Sequence, residues 1–154
     1  MIKLKKIMVP TDFSEPSESA LKYARAFAEQ FGASLHLLHV VEDPFLYAPT
    51  SEGYVVPPHL HEEMETAARD RLNAALTAAD REKFQAQLAL KHGSPFVEVV
   101  RYARDEDIDL IVMGTHGRGP IAHMLMGSVA EKVVRKAPCP VLTVRHPEHE
   151  FVMP

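Results

Sequence analysis

Hydrophobic positions along the chain fall into five short, dense runs separated by longer stretches of amphipathic character. The first run, residues 4–9, holds Leu4, Ile7, Met8 and Val9 and stops at Pro10. A run this dense suits a strand covered on both faces, as in a parallel sheet. From Ser14 to Phe31 the period lengthens: Ala20, Leu21, Ala24, Phe27, Ala28 and Phe31 recur at three- and four-residue spacing, which predicts a helix. Ser14 suits its N-cap, Pro16 falls in the first turn where a missing N–H does little harm, and Gly32 suits its end. Residues 33–41 thicken into Leu37-Leu38-His39-Val40-Val41, a second strand that completes a βαβ unit.

The pattern then breaks at 42–58, where Pro44, Pro49, Pro57, Pro58 and Gly53 predict a long loop. A helix is expected over 59–79, with Leu60, Met64, Ala67, Ala68, Leu72, Ala75 and Leu76 on one face. Residues 84–90 predict a third strand. Ser94-Pro95 then supplies an N-cap and a first-position proline for a helix buried through Phe96, Val99, Val100 and Ala103. Residues 108–113 predict a fourth strand ended by Gly114, followed by a glycine-rich segment over 114–127. A helix over 128–136, stopped by Pro138, and a strand over 141–144 complete the series. The alternation predicts an α/β fold: a doubly wound five-stranded parallel sheet with helices on both faces. Residues 1–146 are read as one domain and 147–154 as a flexible polar tail.

Composition narrows the function classes without choosing among them. The 154 residues are 46% hydrophobic and 25% charged, as in globular proteins of one domain. No apolar run approaches the roughly 18 residues of a membrane span, and the N-terminus lacks the apolar core of a secretory signal. A cytoplasmic location, away from membranes, is therefore expected. The net charge of −4 argues against a broad nucleic-acid surface. The single cysteine, Cys139, excludes an internal disulfide and a cysteine-rich zinc site.

Ligands of doubly wound sheets sit beyond the carboxyl ends of the strands, where strand order reverses. Two segments reach that place: Val9-Pro10-Thr11-Asp12-Phe13-Ser14, and Met113-Gly114-Thr115-His116-Gly117-Arg118-Gly119. The three glycines of the second, with Gly127-Ser128 opening a helix, bring backbone N–H groups together as a phosphate cradle. Arg118 adds positive charge and Ser128 a hydroxyl donor. The P-loop spacing is absent, and the first turn lacks the glycines of a dinucleotide fingerprint. Without a nucleophile-elbow motif, Thr11, Ser14, Asp12 and His116 do not read as a hydrolase triad, and no catalytic residue is assigned. The histidines read mainly as solvated surface groups, with no metal site; His36 and His39, at odd spacing, face opposite sides of their strand.

Gly114-x2-Gly117-x9-Gly127-Ser128 resembles the ATP-binding signature of the universal stress protein family. The opening turn Val9–Ser14 and the closing strand Pro138-Cys139-Pro140-Val141-Leu142-Thr143-Val144 resemble that family as well, so the likeness runs from about Lys5 to Arg145. It implies a Rossmann-like, adenine nucleotide alpha hydrolase-like sheet with strand order 3-2-1-4-5. It implies ATP, ADP or AMP as ligand, with Mg2+ accompanying the phosphates. Pro10, Thr11 and Asp12 would then line the base and ribose, and Val41 would hold the adenine edge through its backbone. Met113 and Gly114 through Gly119, with His116, Gly117 and Arg118, would wrap ribose and phosphates. Gly127, Ser128, Val129 and Ala130 would close on the phosphates. The resemblance further implies a homodimer through edge strand Val141–Val144 and a role in stress response or signalling, with an unidentified protein partner. The alternative is a slow ATPase or nucleotide-transfer enzyme using Asp12 or His116.

Overall fold

The computed structural model describes residues 1–42, 57–115 and 127–145. Their strands, β1 (Lys6–Pro10), β2 (Ser34–Val41), β3 (Gln87–His92), β4 (Leu110–Gly114) and β5 (Val141–Val144), form one parallel sheet in the order β3-β2-β1-β4-β5. The expected topology is therefore present. Strand order reverses between β1 and β4, which places the switch point there.

The density of the apolar runs has a direct cause: alternate residues go to two separate cores. Ile7 and Val9 join Leu35, Leu37, Leu110 and Val112 on one face. Met8, Leu38, Ile111 and Met113 join the other. Helix α1 (Glu15–Phe31) covers the first face with a row of small side chains, Ser17, Ala20, Ala24 and Ala28, which lets its backbone lie close to β1 and β4. Ser14 is extended and accepts from the Ser17 N–H, while Gly32 ends the helix at φ 65°, a conformation costly for a residue with a Cβ. Helix α2 (Pro58–Ala74) packs on the same face through Leu72. Helices α4 (Pro95–Asp105) and α5 (Ser128–Lys136) cover the opposite face through Val99, Ala103, Ala130 and Val133.

Three expectations are corrected. The helix expected over 59–79 breaks after α2, and a short α3 (Ala78–Lys83) follows, giving five helices among the described residues. Thr77 is extended, and its hydroxyl accepts from the Asp80 N–H at 3.1 Å, starting a new helix. Leu76 is buried beside Leu72 across the break, so the apolar stripe runs on where the helix does not. The third strand begins at Gln87, later than residue 84, because Phe84 caps α3 and Gln85 turns at φ 46°. Finally, His36 is no surface group: it is 1% exposed on the face opposite His39, with Nδ1 2.9 Å from the Tyr102 hydroxyl. No helix among the described residues is long and apolar enough to cross a membrane.

Candidate functional site

The carboxyl ends of β1, β2 and β4 open into a cleft of about 800 Å³ at the switch point. It runs over the sheet edge, from α2 on one face to the starts of α4 and α5 on the other. Ten residues expected at a ligand site line it together: Pro10, Thr11, Asp12, Val41, Met113, Gly114, Gly127, Ser128, Val129 and Ala130. His116, Gly117, Arg118 and Gly119 lie outside the described residues, as do most of the 42–58 segment and the 147–154 tail. The α2 wall, with Ala67, Ala68 and Arg71, was not foreseen. Its residues carry only an ordinary amphipathic pattern, so the sequence gives no signal for them.

The Asp12 carboxyl group is tied down by three hydrogen bonds in the turn after β1. Its Oδ1 accepts from the Ser14 N–H at 3.0 Å, from the Ser17 hydroxyl at 2.6 Å and from the Ser14 hydroxyl at short range. These donors hold the carboxyl group beside the positive N-terminal end of α1. Phe13 follows at φ 63°, a sparsely populated region for a residue with a side chain. That turn lays its ring between the His39 ring, 4.4 Å away, and the Arg71 guanidinium, 5.6 Å away. The His39 Nδ1 donates to the Thr11 carbonyl at 2.7 Å, because a carbonyl can only accept. The Thr11 N–H donates to the Leu38 carbonyl at 2.8 Å, which ties the turn to β2.

That last bond fixes which part of β2 faces the cleft. Leu38 turns its carbonyl toward β1, and pairing between the two strands stops there, at Pro10↔Leu38. Backbone direction alternates along a strand, so Val40 repeats the orientation of Leu38 past the end of β1. Val41 points the other way, and its carbonyl accepts from the Gly93 N–H at 3.1 Å. The strand edge open to a ligand therefore belongs to Val40, one residue before the expected Val41.

On the opposite wall, α5 begins at Gly127 without a side-chain cap. The Gly127 N–H donates to the Thr115 carbonyl, joining the helix start to the end of β4. The next backbone N–H groups, of Ser128, Val129 and Ala130, have no partner within a helix and carry the positive end of its dipole. Such a terminus favours an anion. Gly114 plays a different part from the one its motif suggests. A Cβ there would lie 2.7 Å from the Pro16 Cβ and 2.9 Å from the Pro16 carbonyl carbon. Its lack of a side chain is thus required by the first turn of α1.

The one cysteine, Cys139, does not line the cleft. Burial, with Asp109 nearby, pushes the Cys139 thiol up, against its ready ionisation to the reactive thiolate. Among the described residues no group of three or more His, Cys, Asp or Glu is placed to hold a metal ion.

Comparison with known proteins agrees with this geometry. The model of the universal stress protein family matches residues 3–145. Universal stress protein MJ0531 of Methanocaldococcus jannaschii is 34% identical over 147 residues, covering 95% of this chain and 85% of that protein. The solved structure of MJ0577, from the same organism, superposes with a TM-score of 0.77 at 32% identity, covering 94% of this chain and 97% of the other. A universal stress protein solved in complex with cAMP superposes with a TM-score of 0.59 at 25% identity, covering 93% and 98%. With the family model matching residues 3–145 and relatives similar over almost the whole length, the chain belongs to the universal stress protein family.

Proposed function

We propose that the cleft holds an adenine nucleotide, ATP or one of its products, and that the protein is a nucleotide-binding module of stress response or signalling in the cytoplasm. The observation that carries the reading is the placing of the hydrogen-bonded Asp12 carboxyl group opposite the uncapped N-terminus of α5 in one cleft. A carboxylate accepts from sugar hydroxyls, and helix N–H groups receive phosphate oxygens. Between them, Leu38, Val40, Met113 and Val99 offer apolar surface to a base, and the backbone of Val40 offers it a donor and an acceptor. The relative bound to cAMP supports the same ligand class. Mg2+, when it accompanies ATP, would neutralise phosphate charge. The Ser128 hydroxyl, exposed at the cleft mouth, is the described side chain suited to that end.

Calorimetric titration with ATP, ADP, AMP and cAMP tests the reading. At least one is expected to bind, and Asp12→Ala is expected to weaken it about tenfold or more, the loss of a hydrogen bond to a charged group. Absence of binding by all four would overturn the proposal.

A homodimer is proposed through β5, an edge strand of the sheet. The Ile111 N–H donates to the Pro140 carbonyl, and the Thr115 N–H to the Val144 carbonyl. By alternation Val141 and Thr143 direct their backbone groups outward, as a template for a second copy. Light scattering at micromolar concentration is expected to give twice the 17.2 kDa chain mass. Thr143→Pro, which removes an outward N–H and leaves the β4 ladder alone, is expected to return it to the monomer. A monomeric wild-type protein would refute the assignment.

A further inference from the structure

The buried row of α1 reads Ser17, Ala20, Ala24, Ala28, so one position among four carries a hydroxyl where the others only fill space. Ser17 is 8% exposed, yet it lines the cleft. Its Oγ donates to Asp12 Oδ1 at 2.6 Å and accepts from the Asp12 backbone N–H at 3.2 Å. One hydroxyl therefore holds both ends of the same residue. At the third helical position after a Ser N-cap, a Glu or Gln ordinarily reaches back to the cap's own N–H. Here Ser17 is too short for that, and Asp12 Oδ1 takes the Ser14 N–H at 3.0 Å instead. The helix start and the carboxylate thus form one network, in which Ser14 and Ser17 both donate to Oδ1 and Ser17 alone also binds the Asp12 backbone N–H.

We propose that Ser17 is a positioning residue for the ligand: its buried hydroxyl orients the Asp12 carboxylate to accept from a ribose hydroxyl, and so sets the preference for ribonucleotides over deoxyribonucleotides. The proposal rests on the reading of the cleft as an adenine-nucleotide site. A merely structural Ser17 would act on all nucleotides alike. A positioning Ser17 acts only where the sugar hydroxyl is present. Discrimination by hydrogen bonding to a hydroxyl is large when the partner group is fixed, and shrinks when that group can turn away.

The test is titration of AMP, 2′-deoxy-AMP and 3′-deoxy-AMP into the wild-type protein, Ser17→Ala and Ser17→Thr, with thermal unfolding of each protein in parallel. The wild type is expected to prefer AMP over at least one deoxy analogue by about tenfold. Ser17→Ala is expected to lose most of that ratio by weakening AMP, with the affinity of that analogue kept within about twofold. Ser17→Thr, which keeps the hydroxyl, is expected to restore the ratio even where it lowers the unfolding temperature. Should Ser17→Ala not fold, the ratio is read from Ser17→Cys, whose weak thiol donor is expected to give an intermediate value. Wild-type binding with an unchanged ratio in the variant, or an equal loss for all three nucleotides, overturns the positioning role alone. A wild type that binds none of the three overturns the nucleotide reading as well.

Discussion

Gly114→Ala is expected to lower the unfolding free energy by about 2–3 kcal/mol, the upper part of the range for overpacking a core. Gly114→Val should cost more, a large share of the roughly 5–15 kcal/mol that stabilises a typical domain. The cause is the approach of α1 to β4. The added Cβ would meet the Pro16 Cβ at 2.7 Å, its carbonyl carbon at 2.9 Å and its oxygen at 3.0 Å. Two of these are backbone atoms and the third belongs to a rigid ring, so no side-chain rotation relieves the contact. The first turn of α1 must move, and with it Ser14 and Ser17, which hold Asp12. Gly127, in the same motif, makes a useful contrast. It sits at φ −65° and ψ 155°, which any residue adopts, so Gly127→Ala is expected to cost at most about 1 kcal/mol, as a weaker N-cap. Urea unfolding with unchanged slope measures both variants. A Gly114→Ala protein within about 0.5 kcal/mol of wild type would show that α1 yields freely. In that event Gly114 would be left to the ligand, as its motif suggests.

The glycine pair shows where sequence reading stops. Spacing placed Gly114 and Gly127 at one switch point, and both line the cleft. It could not separate a glycine required by a neighbouring helix from one that opens a helix, since that depends on a contact across about 98 residues of chain. The central strands β1, β2 and β4 were legible because each is covered on both faces, which leaves dense apolar runs. The ends of α1 were legible because Ser14, Pro16 and Gly32 act locally. The break between α2 and α3 was not, because Leu72 and Leu76 continue the apolar row through it. The cleft-facing backbone of β2 was missed by one residue for a similar reason. Strand pattern tells where side chains go, whereas the end of pairing at Leu38 decides which backbone groups stay open. Ser17 looked like an ordinary first-turn serine, and only its distance to Asp12 marks it out.

His36 carries the second large effect, which appears as pH is lowered. Its ring is buried between β2 and α4, edge-on to Tyr102 at 5.9 Å, and its Nδ1 meets the Tyr102 hydroxyl. Among the described residues Nε2 has no hydrogen-bond partner. Burial holds the imidazole below its usual range, and the nearby Lys6 lowers it further, against a smaller upward pull from Glu106. Burial and Glu106 push the Tyr102 hydroxyl up to about 12, so it stays protonated throughout. As pH falls through about 6.5, the unfolded chain takes up a proton on residue 36 that the folded protein refuses. Stability therefore declines with falling pH, by at most about 1.4 kcal/mol per pH unit for one proton, until the folded imidazole also protonates. Tyr102→Phe is expected to cost about 1–3 kcal/mol at pH near 7.5, because it leaves both ring nitrogens of His36 unpaired. The double variant His36→Leu with Tyr102→Phe removes both polar groups, and is expected to be close to wild type at that pH. Urea unfolding of wild type and double variant between about pH 7.5 and 5 isolates the histidine, since the carboxylates titrate alike in both. The wild type should lose stability relative to the double variant as pH falls. Parallel curves would mean that His36 protonates as readily folded as unfolded, and that the buried pair is open to water.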